Sequence, residues 1–132
     1  MTTSDLPAEG QPDVSTEGTE APFDDVITLS TATGEDGVVT VTVVGEVDTF
    51  TAPVLRSTLD SQLEQQPREL VIDLSGVQFL GSAGLAVLVE TQKSSRAKEV
   101  SLRLIATTRA VTRPLEVTGL IDLFTIADST AR

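Results

Sequence analysis

The sequence contains no cysteine, histidine, tryptophan or tyrosine, and phenylalanine occurs only four times in 132 residues. Without cysteine there are no disulfides, no iron–sulfur clusters, no thiol nucleophile and no thiol redox switch. Without histidine the usual general base and the commonest transition-metal ligand are gone, and a Ser-His-Asp triad cannot be assembled. So few aromatic rings leave no platform on which nucleic-acid bases stack. Basic residues are missing from the first part of the chain: Arg56 is the first, and residues 1–55 hold eleven acids and no base. Residues 56–132 carry nine of each sign, so the net charge of −11 resides in the first 55 residues. That balance argues against a surface for duplex nucleic acid or for an acidic membrane. The longest apolar run, Leu85–Val89, is five residues, far below the roughly 20 a membrane span needs. The start, Met1-Thr2-Thr3-Ser4-Asp5-Leu6-Pro7, has neither the basic stretch nor the apolar core of a secretory signal. A soluble, cytoplasmic protein without cofactor or metal is expected.

What is present is one domain's worth of chain, long enough to bury a hydrophobic core. Residues 1–24 carry Pro7, Pro12 and Pro22, acids at Asp5, Glu9, Asp13, Glu17, Glu20 and Asp24, and few large apolar groups. Such a segment cannot offset its ordering entropy, and a disordered acidic tail is expected. It serves either as a solubilising tail or as an arm that steers a basic partner. The pattern changes at Asp25. Val26–Thr31 and Val38–Val44 are β-rich and flank the turn signal Gly34-Glu35-Asp36-Gly37, which predicts a hairpin whose second strand closes at Gly45. Ala52 to Gln66 has helical spacing, with Leu55, Leu59 and Leu63 on one face and Pro67 as the stop.

Leu70-Val71-Ile72-Asp73-Leu74 predicts a short strand buried on both faces, with Ser75–Leu80 leading out of it. A helix carrying Leu85, Leu88 and Val89 is predicted from Gly81–Gly84 to Ala97, its apolar face packed in the core. Val100–Ala106 predicts a further strand. Thr108 can cap a helix from Arg109 to Val117, in which Pro114 conflicts with the helix interior, and Gly119 fits its C′ position. Leu123–Ile126 predicts the last strand. Strands alternating with helices in the order ββαβαβαβ predict an α/β fold with a mixed, mainly parallel sheet.

Two loops can carry chemistry. In Gly81-Ser82-Ala83-Gly84, small neighbours leave the Ser82 hydroxyl accessible at a strand–helix junction. It is either a helix N-cap or a phosphate acceptor. The loop is not a Walker A motif and not a GxSxG elbow. Backbone N–H groups at the helix start can hold a phosphate, the basis of a nucleotide or small-ligand sensor, although no lysine accompanies them. The second loop follows Gly45 and contains Glu46, Asp48 and Thr51. It lies beyond the carboxyl end of a strand, where sites form in open α/β sheets. Asp48 or Thr51 can cap the next helix, or Glu46 and Asp48 can hold a divalent cation. If the two strands are neighbours, both loops share one edge.

Val43-Val44-Gly45-Glu46-Val47-Asp48, Leu70-Val71-Ile72-Asp73-Leu74, Phe79-Leu80-Gly81-Ser82-Ala83-Gly84-Leu85 and Ala110–Leu120, ending Thr118-Gly119-Leu120, occur in this order. In this combination the chain resembles a STAS domain, more narrowly the bacterial anti-sigma factor antagonists. The likeness covers about residues 25–128 and assigns 25–132 to the domain. It implies a protein that is not an enzyme. It implies binding to an anti-sigma factor that is also a serine kinase, release of a sigma factor, phosphorylation of Ser82 to break the complex, and a phosphatase to restore it. The residues it puts at the partner surface are Glu46, Asp48, Thr49, Gly81, Ser82, Ala83, Gly84 and Leu85. The chain departs from the family's D-S-[ST]-G loop at Gly81, where the acid is missing, and at Ala83. A constitutive antagonist that is never phosphorylated is the alternative this departure suggests.

Overall fold

The computed structural model describes residues 27–127. The expected acidic tail, residues 1–24, lies outside the described residues. The hairpin forms as its pattern dictates: β1 (Ile27–Thr33) pairs antiparallel with β2 (Val38–Val47) across the glycine turn. The turn is closed by the Gly37 N–H donating to the Gly34 carbonyl, 3.2 Å, and the Val38 N–H donating to Asp36 Oδ1, 3.1 Å. Then come α1 (Ala52–Glu64), β3 (Glu69–Leu80), α2 (Ser82–Ala97), β4 (Ser101–Ile105), α3 (Arg109–Val117), a 3₁₀ turn (Leu120–Leu123) and β5 (Thr125–Ala127). The five strands lie in chain order in one sheet, β1 antiparallel and the others parallel. The predicted fold class is the observed one.

Several boundaries differ from the sequence expectation, each for a physical reason. β2 does not close at Gly45; it runs on to Val47, because β3 continues beside it. β3 in turn does not stop at Leu74. Its register shifts twice against β2: Thr42 pairs with Asp73 but Val44 with Gly76, and Gly45 pairs with Val77 but Glu46 with Phe79. At each shift β3 takes one residue more than β2, as in a β-bulge. Leu74, Val77 and Leu80 are therefore all buried although they stand three apart. α1 stops at Glu64, since Gln66 enters the left-handed region at φ 52° before Pro67. Leu123 ends a 3₁₀ turn rather than starting a strand.

α1 buries Leu55, Leu59 and Leu63 as their spacing requires. α2 buries Leu85, Val87 and Leu88, and Val89 is partly buried against the same core. These side chains join the inward residues of the sheet, Val39, Val41, Val43, Leu70, Ile72, Leu74 and Leu104, in one cluster. Across the surface, Arg56 of α1 pairs with Glu90 of α2. Pro114 remains inside α3. Full burial of Val111 and Leu115, one turn apart, offsets the lost backbone bond. Gly119 adopts φ 75° just beyond α3, as the C′ position demands.

Candidate functional site

The carboxyl ends of β2 and β3 are held side by side. Val47 pairs with Leu80. Immediately after them the Gly81 N–H donates to the Val47 carbonyl, 2.9 Å. Glu46 at the end of β2 rather than in a loop, Asp48 and Thr49 just after it, and Gly81, Ser82 and Ala83 at the start of α2 therefore lie at the same end of the sheet.

Gly81, extended at φ −89° and ψ −178°, occupies the N-cap position of α2. Its carbonyl accepts the first helical bond, from the Leu85 N–H, 3.0 Å. Ser82 is the first residue of the helix and is exposed. It is thus not the N-cap, and no side chain caps α2. Among the described residues the Ser82 hydroxyl is exposed and makes no hydrogen bond. Gly84 and Leu85 face inward. A Cβ on Gly84 would sit 2.6 Å from Val47 Cγ1 and 2.7 Å from Leu80 Cδ1, so only glycine lets α2 approach the strand ends this closely. Leu85 is 8% exposed and belongs to the core. These two residues shape the loop from beneath, whereas Gly81, Ser82 and Ala83 face outward to some degree.

Asp48 organises the other loop. Its Oδ1 accepts the N–H of Phe50 at 2.9 Å and of Thr51 at 3.0 Å. The Thr51 amide, more than that of Phe50, holds the Asp48 carboxyl below its usual value, against partial desolvation. Thr51 stands at the N-cap position of α1 but does not cap it. Its hydroxyl turns back, donating to the Glu46 carbonyl at 2.8 Å and accepting the Asp48 N–H at 2.9 Å. The Asp48 carbonyl accepts the Ala52 N–H, 2.8 Å, and so fixes the entry to α1. Among the described residues no three acids converge as metal ligands.

The edge also carries groups that composition did not point to. Phe50 is 75% exposed, Phe79 50% and Val44 44%. The signal was present in sequence: of only four phenylalanines, one follows Asp48 by two residues and one precedes Ser82 by three. The Phe79 ring lies close to Gly81. A Cβ there would be 3.0 Å from its Cε2 and 3.3 Å from its Cζ.

Residues 30–132 match the family model of the STAS domain. The anti-sigma-F factor antagonist RsfB of Mycobacterium tuberculosis is 35% identical over 100 residues, 76% of this chain and 80% of that protein. The crystal structure of an anti-sigma factor antagonist from Mycobacterium paratuberculosis superposes with a TM-score of 0.74 at 38% identity, covering 85% of this chain and 92% of that one. The Bacillus cell fate determinant SpoIIAA, solved in its phosphorylated form, shares the fold with a TM-score of 0.60 at 14% identity, over 76% of this chain and 91% of that one. The chain belongs to the STAS domain family, and its relatives there are anti-sigma factor antagonists.

Proposed function

We propose that this protein is a cytoplasmic anti-sigma factor antagonist switched at Ser82. It binds an anti-sigma factor that is also a serine kinase, and a sigma factor is thereby freed. Phosphorylation of Ser82 by that kinase ends the complex, and a phosphatase restores it. The protein itself performs no catalysis. The observation that carries this reading is the exposed, unengaged Ser82 hydroxyl at the first turn of α2, beside the loop ordered by Asp48. The relatives, named anti-sigma factor antagonists, support the role.

The physics suits a switch that leaves the fold alone. A phosphoryl group adds about −1.5 to −2 charges at pH 7. At a helix N-terminus the peptide dipoles favour an anion by roughly 0.3–1 kcal/mol, so the free domain tolerates it. In a tight interface the same group has to be desolvated near the half-exposed Phe79, which is unfavourable. Each 1.4 kcal/mol lost there weakens binding about tenfold. The Ser82→Asp variant is therefore expected to bind the anti-sigma factor at least about 100-fold more weakly than wild type, measured by titration calorimetry. Equal affinity of the two would refute the switch. A constitutive antagonist is the second reading, and Gly81 favours it, because the acid of the family's acceptor loop is absent.

A further inference from the structure

We propose that Thr51 is a positioning residue for the Ser82 loop: its hydroxyl orients the Val47–Asp48 peptide, whose carbonyl holds the Gly81 N–H directly before the acceptor serine. The inference rests on the reading of Ser82 as a phosphate acceptor. A peptide unit is planar, so fixing the direction of its N–H fixes its C=O as well. The Asp48 N–H donates to Thr51 Oγ1 at 2.9 Å, and the carbonyl of the same peptide, that of Val47, accepts the Gly81 N–H at 2.9 Å. The hydroxyl stands at one end of this relay and Gly81 at the other. Gly81 is held on its second side too, since its carbonyl accepts the Leu85 N–H at 3.0 Å. Ser82, the next residue, takes its place from this anchor.

The sheet explains why a side chain is needed here. Among the described residues, β1 reaches no further along β2 than Gly45, so the last residues of β2 have no strand on that side. A neighbouring parallel strand would offer a donor to the Glu46 carbonyl and an acceptor to the Asp48 N–H. The Thr51 hydroxyl does both with one oxygen, donating to the Glu46 carbonyl at 2.8 Å and accepting the Asp48 N–H. Asp48 Oδ1 stands farther from the hydroxyl, at 3.2 Å, and accepts the Thr51 N–H at 3.0 Å, so the side chain of each residue holds the backbone of the other. Thr51 is 3% exposed, which keeps water from taking over these bonds. Its hydroxyl, at the N-cap position, is turned away from its own helix and toward the strand end that holds Gly81.

The test compares full-length wild type, T51V and T51S. Valine keeps the shape of threonine without the hydroxyl, and serine keeps the hydroxyl. In the free chain, amide hydrogen exchange is followed by NMR at Gly81 and at Ile72, which is paired on both sides in the middle of the sheet. T51V should speed exchange at Gly81 about tenfold relative to Ile72, and T51S should leave Gly81 near wild type. With an anti-sigma factor kinase and ATP, T51V should lower kcat for Ser82 phosphorylation about tenfold with little change in KM, the effect of a displaced acceptor, and T51S should restore most of it. Equal acceleration at Gly81 and Ile72 in T51V would mean that Thr51 only stabilises the fold, and would overturn the proposal. So would a Gly81 amide that stays protected in T51V, or a T51S that behaves like T51V. Should T51V fail to fold, T51A takes its place, since it also deprives the two backbone groups of the hydroxyl. If no kinase phosphorylates wild type, the Ser82 reading falls and the role in phosphoryl transfer with it, while exchange at Gly81 still decides whether Thr51 holds the loop.

Discussion

Asp48 shows how much one side chain can set. Its carboxylate accepts two backbone N–H groups and orders the turn into α1. These bonds favour the charged form, so its proton affinity is lower in the folded chain than in the unfolded one. The sign follows. The stabilisation is complete above the unfolded value, near pH 4, and is lost as pH falls through the depressed folded value. Melting temperatures of wild type and Asp48→Ala should thus differ by a constant gap from about pH 5 to 8, and the gap should narrow below about pH 4. A gap that widens in acid would contradict the assignment. At this scale the sequence was a good guide to where Ser82 and Asp48 stand, one opening α2 and the other in the turn before α1. It was a poor guide to Thr51 and Phe79. Which way a hydroxyl turns, and whether a ring is covered, depends on neighbours distant in the chain.

Among the elements, the hairpin, α1 and α2 were legible because their apolar spacing matches a simple period of two or of 3.6. The second half of β3 was not. Leu74, Val77 and Leu80 stand three apart, which fits no flat strand, and only the two register shifts against β2 bring all three inward. These shifts carry β2 and β3 far enough to place the end of β2 at Val47 against Gly81. The junction tolerates little extra volume. Gly84→Ala puts a methyl group within 2.7 Å of Val47 and Leu80 side-chain atoms. The cost should be about 1–3 kcal/mol, the usual range for overpacking, read from urea unfolding. Unchanged or greater stability would show that α2 does not sit this close to the strand ends.

For the whole molecule, fold class was legible from the alternation of strands and helices, and the family from motifs in a fixed order. The exposed apolar groups were less legible, since a chain with four phenylalanines does not announce that Phe50 and Phe79 stand exposed. The account separates fold from switch. Ser82 faces outward and supports no other group among the described residues. Ser82→Asp should therefore melt within about 4 °C of wild type, a shift corresponding to less than roughly 1 kcal/mol for a domain of this size. A large loss of melting temperature would mean that the variant acts through unfolding instead of through the interface.

The most direct measurement is the intact mass of the protein after incubation with an anti-sigma factor kinase and ATP, followed by size-exclusion chromatography of the mixture. The account predicts a gain of one phosphoryl group on wild type and none on Ser82→Ala. It also predicts that the unphosphorylated chain co-elutes with the kinase while the phosphorylated chain elutes alone. A stable complex in which the mass never changes, or a gain that persists in Ser82→Ala, would contradict it.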